Sequence, residues 1–237
     1  MKRPSIVLVS VLLGIALSAP AQAHEAGQWI VRGGIGTVMP KDDNLSLPEI
    51  AIDELTINGS VQVDDGTSLT LSFTYMFTEN WAFDILAAYP FKHDIDLDAT
   101  IDDGVDVFSG SVPFGEVEHL PPTFSIQYHF SPDATFQPFV GLGLNYTTFL
   151  SEDLESGVVE AGIVDISLDD SFGVAVQAGA DWMLNEQWLV NFDVRWINIE
   201  SDLEATVDDG INPPATGELG TVEIDPWVFA INLGYRF

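Results

Sequence analysis

The residues of this chain that could do chemistry are four histidines, three arginines set among aspartates, and alternating runs of acids. His93 and His119 would need a nucleophile and an acid beside them to carry out acyl or lipid chemistry. Ser109, Ser111, Glu116 and Glu118 lie near in sequence, yet none is fixed on a shared strand as a nucleophile, so the pattern is not read as an enzyme. Asp94, Asp96 and Asp98 have the spacing that opens a calcium loop, but the glycine needed next is Ala99 and the later acid is Val105. These acids read instead as the charged face of a strand, with weak divalent binding left open. Gly33-Gly34-Ile35-Gly36 and Gly141-Leu142-Gly143 precede no helix and so cannot cradle a phosphate. No catalytic residue, cofactor or resident metal is expected.

Composition narrows the classes further. The 237 residues carry 37 acids against 7 bases, a formal charge of -30, yet 46% are hydrophobic and mean hydropathy is +0.20. A disordered acidic tail would lack that apolar content. Nucleic acid is excluded as a partner because its affinity comes from cations that neutralise phosphates. Cysteine is absent, which removes disulfides, thiolate metal sites and thiol nucleophiles together.

The first 23 residues read as an export leader. Met1-Lys2-Arg3 is basic, Ile6 to Leu17 is apolar, and Ala21-Gln22-Ala23 is a small-x-small cleavage site. His24 is therefore the expected mature N-terminus, and 24–237 the expected single domain.

Beyond the leader, alternation with a period of two dominates. Eight segments show it: Gln28 to Met39, Thr67 to Phe77, Trp81 to Phe91, Glu118 to Phe130, Gln137 to Leu150, Ser171 to Leu184, Trp188 to Asn198 and Trp227 to Phe237. One parity is apolar and the other small or polar, along segments longer than the roughly 5 to 6 residues usual for soluble strands. Three connections are short and four are long, in strict alternation. The pattern predicts an all-β fold, an eight-stranded antiparallel transmembrane β-barrel with short periplasmic turns and four long extracellular loops. All six tryptophans fall on the outward parity near strand ends, as an interfacial belt requires: Trp29, Trp81, Trp182 and Trp188 towards the periplasm, Trp196 and Trp227 beside the last long loop. The four long loops hold 29 of the 37 acids, so the charge forms an extracellular crown over a nearly neutral barrel.

The inward parity places Arg32, Arg195 and Arg236 with Asp84, Asp181 and Asp193 in the periplasmic half. In a lumen only wide enough for side chains, such charges must pair. They are expected to plug the barrel floor, with an ion-selective constriction as the alternative. Leu86 would form an apolar waist above them or simply fill space. Pro90, Pro121 and Pro122 fall at the tops of neighbouring strands, where missing N–H donors weaken the ladder. Either the wall opens sideways there, or the strand ends fray above the hydrocarbon.

Several stretches also carry a resemblance: His24-Glu-Ala-Gly27, Thr37-Val-Met-Pro40, Leu71-Ser-Phe-Thr-Tyr-Met76, Pro90-Phe-Lys-His93, His119-Leu-Pro-Pro-Thr123, Tyr146-Thr-Thr-Phe149, Asp225-Pro-Trp-Val-Phe229 and Gly234-Tyr-Arg-Phe237. Along essentially its full mature length the chain resembles the OmpW family of small outer-membrane proteins of Gram-negative bacteria. The resemblance implies a narrow eight-stranded barrel that helps small hydrophobic molecules cross the outer membrane. The expected partners are outer-membrane lipid and lipopolysaccharide, small hydrophobic solutes, and the outer-membrane assembly machinery through the C-terminal Phe237. The alternative function is a structural or receptor-like barrel acting through its acidic loops.

Overall fold

The computed structural model describes residues 24–41, 44–46, 50–52, 55–102, 106–160, 162–208 and 210–237; the expected leader, 1–23, and Val105 lie outside the described residues. Within the described residues sixteen strands and one short helix follow in chain order: β1 (Trp29–Met39), β2 (Leu45–Ser46), β3 (Ile50–Ile52), β4 (Leu55–Val63), β5 (Gly66–Met76), β6 (Trp81–Ala88), β7 (Phe91–Asp102), β8 (Val107–Leu120), β9 (Thr123–His129), β10 (Phe136–Leu154), α1 (Ser156–Glu160), β11 (Ile163–Leu168), β12 (Ser171–Met183), β13 (Trp188–Ile197), β14 (Glu200–Val207), β15 (Ala215–Glu223) and β16 (Trp227–Arg236). Among the described residues no helix is long and apolar enough to cross a membrane.

Eight of the strands close on themselves in the order β1-β5-β6-β9-β10-β12-β13-β16, every pairing antiparallel, with β16 returning to β1. The expected barrel is thus present. Its faces are inverted relative to a soluble protein. Ile35, Leu69, Leu142, Phe192 and Ile231 are exposed on the outside, while Arg32, Asp84, Thr74, Gln127, Asn145 and Asn191 are buried within. Only a hydrocarbon surround makes that arrangement favourable.

Local chemistry sets the periplasmic end. In the turn after β5, Thr78 Oγ1 accepts from the backbone N–H groups of Asn80 and Trp81 at 3.2 and 3.0 Å. Asn185 Oδ1 does the same for Gln187 and Trp188, both at 2.9 Å. These side-chain turns leave a tryptophan at the first outward position of the next strand. There the indoles meet partners on adjacent strands: Trp29 with Tyr75, Trp81 with Tyr128 and Trp188 with Tyr235 at 4.9 to 5.0 Å between centroids. At the other end Trp196 and Trp227 are register partners across β13 and β16.

Much of the described part of the long loops is strand. Two of the expected strands are broken, and the pieces continue outward: the third divides at Tyr89-Pro90 into β6 and β7, the fourth at Pro121-Pro122 into β8 and β9. β7, β8 and β4 form an extension that attaches to the upper half of β10, and β11, β14 and β15 form a second, three-stranded sheet. The segment around Val158 to Ile166, where sequence pattern did not choose between helix and strand, contains the end of α1 and the start of β11. In these extensions the faces exchange chemistry. Asp202 and Glu204 face water while Leu203 and Ala205 are buried; Asp94 faces water while His93 and Ile95 are buried. Among the described residues sixteen buried apolar ones, including Val61, Phe91, Phe114, Val117, Ile199, Leu203 and Ile224, join into a core that begins inside the upper barrel at Val38, Ala175, Ile197 and Val228 and continues into the extensions.

Close backbone contact at the closing seam requires glycine. A Cβ on Gly34 would lie 2.0 Å from the carbonyl oxygen of Ile231 and 2.7 Å from Asn232 Cα, whereas one on Gly110 would meet nothing within 4 Å. Gly34→Ala should therefore destabilise the barrel by about 1–3 kcal/mol through overpacking, and Gly110→Ala should leave it unchanged, as read from urea unfolding in lipid vesicles.

Candidate functional site

The lumen is layered, and each layer follows from which side chains the inward parity supplies. At the periplasmic end lies a small apolar floor of Ile30, Met76, Ala82, Met183 and Leu189. Above it runs the polar network. Arg32 meets Asp181 in a forked pair, Nε to Oδ1 at 3.1 Å and Nη2 to Oδ2 at 2.5 Å, and also donates to Thr74. Thr74 donates to Asp84 at 2.6 Å. Arg195 bridges two carboxylates, Asp193 at 2.7 Å and Asp84 at 2.9 Å. Asn191 donates to Asp181 at 2.8 Å, Asn232 to Asn191 at 2.9 Å, and Thr70 to Asn232 at 2.9 Å. Phe139 lies 5.7 Å beneath the Arg32 guanidinium carbon, in space left by Gly179, where a Cβ would come within 2.4 Å of its ring. Cross-linked, hydrogen-bonded charges of this kind tolerate a dry lumen that single charges would not.

Five of the six charged residues expected in the lumen therefore meet. Arg236, opposite Ile30 near the strand end, donates to the backbone carbonyl of Glu186, through Nε at 3.0 Å and Nη2 at 2.7 Å. The physical reason is its level: as the last residue of β16 it pairs beside the β12–β13 turn, below the network, where a turn carbonyl is the acceptor within reach. The network also stands above the floor rather than forming it. Leu86 is half-buried and borders the same small cavity as Arg32, Asp84 and Arg195, next to Val228 and Ala230. It belongs to the network's upper rim and is not a separate waist.

Over this layer is an apolar chamber lined by Val61, Ile95, Phe114, Val117, Phe149 and Ile224, with His93 and His119 in its wall; its cavity volume is about 30 Å³. The two imidazoles face each other, Nε2 to Nε2 at 2.9 Å with ring centroids 4.9 Å apart. His93 Nδ1 donates to the Asp64 carbonyl at 2.6 Å, so a neutral His93 accepts at Nε2 and His119 donates there. That leaves His119 Nδ1 a bare lone pair, buried and without a hydrogen-bond partner. Sequence reasoning weighed these two histidines for chemistry but missed the chamber, because most of its lining comes from segments read as loops.

Beside the chamber the wall has a seam. The β6–β9 register ends at Leu86 with Thr123, and the β7–β8 register resumes at Phe91 with His119. Between them Ala87 to Pro90 and Leu120 to Pro122 have no register partners across the seam. Each side keeps its other neighbour: Tyr89 N donates to Leu69 O at 2.9 Å, and Tyr146 N to Pro122 O at 3.1 Å. All three prolines lie at this one break.

The chain that builds this closed barrel matches the model of the OmpW family over residues 25–237. The chain belongs to the OmpW family. Outer membrane protein W of Vibrio cholerae is 42% identical to it over 95% of this chain and 96% of that one. The crystal structure of the outer membrane protein OprG from Pseudomonas aeruginosa, 35% identical, superposes with a TM-score of 0.74 over 91% of this chain and 98% of that one. A more distant relative from the same species, the dibenzothiophene metabolism operon protein PahQ, is 25% identical over 93% of each chain. As an OmpW-family barrel the chain resides in the outer membrane of a Gram-negative bacterium, crossing it with several strands.

Two expectations follow from the site. Asp181→Ala strips Arg32 of its forked partner within the lumen and should cost about 3–5 kcal/mol of unfolding free energy, measured by denaturant titration in lipid vesicles. Burial pushes the His119 imidazole down to about 3 and lowers His93 as well, with His93 itself a second cause for His119. In the unfolded chain both take a proton near pH 6.5. The stability they contribute is complete above that value and is lost as pH falls towards 3. The unfolding midpoint of the native chain should drop more steeply across that window than that of His119→Phe, a comparison in which titration of the crown cancels.

Proposed function

We propose that this OmpW-family barrel passes small hydrophobic molecules across the outer membrane passively, taking them from outside into the apolar chamber and releasing them sideways into the bilayer through the proline seam. What carries the reading is a coincidence at one level of the wall: an apolar chamber, a closed polar network directly beneath it, and neighbouring strands that do not pair beside it. An apolar solute gains roughly 25 cal/mol for each Å² it removes from water. Descending further would bring it among paired charges that offer it nothing and lose by being disturbed. The sideways path leads to hydrocarbon. Because Pro90, Pro121 and Pro122 have no N–H to donate, parting the strands there breaks fewer hydrogen bonds than anywhere else along the seam. The relative named for a dibenzothiophene metabolism operon suits an apolar, aromatic class of solute.

A second reading, a structural or receptor-like barrel acting through its acidic loops, draws on one observation. The chamber of about 30 Å³ is far below the roughly 300–1,000 Å³ of a pocket that holds a drug-sized ligand. Under the transport reading Phe114, Phe149 and the loop-borne half of the lining must move aside to admit a solute. Lipopolysaccharide around the rim, and the assembly machinery reading the exposed Phe237, complete the proposed partners.

Uptake of a graded series of apolar aromatics by cells lacking the protein, with and without the cloned gene, separates these readings. The native chain should speed uptake, more so for less polar solutes, without raising salt conductance. Replacing Pro90, Pro121 and Pro122 together by Ala should slow uptake several-fold. Unchanged uptake in that variant would sink the lateral route. No acceleration by the native chain would overturn transport itself and leave the receptor reading.

A further inference from the structure

At the periplasmic end, outside the proposed solute path, three side chains converge that neither the transport reading nor the plug uses together. His24, His129 and Asp181 are all fully buried, and one potential ligand atom from each lies within 4.8 Å of the others. The imidazoles meet edge to face, with centroids 4.9 Å apart.

Their hydrogen bonding is what distinguishes them from an ordinary packed cluster. Buried polar atoms are nearly always partnered, and each exception calls for an explanation. His129 Nε2 lies 3.0 Å from Gln127 Oε1, an acceptor, so the ring carries its proton on Nε2 and presents Nδ1 as a bare lone pair. That Nδ1 has no partner, and neither does Nδ1 or Nε2 of His24. Three buried imidazole nitrogens thus stand unpartnered in one place. Asp181 Oδ1 takes Arg32 Nε and Asn191, and Oδ2 takes one Arg32 nitrogen, which leaves Oδ2 a free lone pair.

We infer that His24, His129 and Asp181 form a binding site for a borderline d-block dication of the zinc or copper class. Two imidazoles and one carboxylate are the donor set those ions favour over calcium or magnesium, which prefer oxygen alone. The Gln127 contact is the outer-shell hydrogen bond that fixes tautomer and ring orientation in such sites. The Arg32 fork does the same for the carboxylate, and its positive charge weakens the site without occupying the free lone pair. The cover is slight: Glu25, Ala26 and Gly27, which link His24 to β1, are exposed to the periplasmic side. Removal of residues 1–23 on export would free the His24 α-amine, a further nitrogen donor on the same residue. A metal here would pin the N-terminal segment across the end of the barrel, tying it to β9 and β12.

The test uses the full protein purified from outer membranes without a polyhistidine tag, titrated with Cu²⁺ and read by electron paramagnetic resonance. Nitrogen hyperfine structure separates this site from ions held by the carboxylates of the crown. The expected result is one nitrogen-ligated Cu²⁺ per chain. That signal should vanish in both His129→Phe and His129→Gln, variants checked for folding by heat-modifiable gel mobility. Gln127→Leu should weaken affinity by about 10–100-fold, and Zn²⁺ should raise the unfolding temperature of the native chain but not of the His129 variants. Carboxylate-only copper, or a nitrogen signal that persists in folded His129 variants, would overturn the assignment.

Discussion

Hydrocarbon offers no hydrogen-bond partner, so each backbone N–H and C=O of a spanning strand must be answered by the strand beside it. Here β1 and β16 answer each other over ten residues and β10 and β12 over twelve, which completes the ring. Closure at eight strands fixes the lumen at a width that side chains fill. Narrowness then dictates the interior chemistry, because a charge too crowded to be hydrated must be met by another charge. The forked Arg32–Asp181 pair and the Arg195 bridge between Asp84 and Asp193 are consequences of barrel size as much as of sequence.

The same constraint explains where the ladder is allowed to fail. The outward residues change from Tyr89, exposed and aromatic, to Lys92, which pairs with Glu116 and Glu118 at 2.7 and 2.6 Å. At that level water begins, and an unanswered backbone group no longer needs a strand partner. Prolines are tolerated at this boundary for that reason. One turn deeper they would leave carbonyls stranded in lipid.

The barrel was legible in the sequence because a two-residue period with an apolar outer face repeats in eight segments and is interrupted by side-chain turns. Five of the six lumen charges were placed together because parity alone aims them inward. Parity gave the inward direction of Arg236 but not its height, and a residue at the strand end finds a turn carbonyl within reach. The chamber was hidden by a different ambiguity. Asp94-Ile-Asp96-Leu-Asp98 does announce a strand, yet alternation does not say whether the apolar face meets lipid or protein. Above the membrane Ile95 faces inward and the acids outward, the reverse of Leu69 and Thr70 within it. The discriminating signal was the company the carboxylates keep: among hydroxyls and amides and matched by arginines where the polar face lines the lumen, in acid-only alternation where it meets water.

This exchange of faces also accounts for the net charge. In β14 the residues Asp202 and Glu204 alternate with Leu203 and Ala205, so one strand contributes both to the crown and to the core beneath it. Charge and chamber are therefore separated by parity rather than by distance along the chain. An uncharged solute gains nothing from the crown's field, which acts on ions and is screened within about 10 Å at ordinary salt. The crown keeps the outer surface wet and repels anions, while the chamber is lined by side chains on the opposite face of the same strands. Evolution could then alter one face while the other is held by packing, which makes crown charge a poor guide to what passes beneath it.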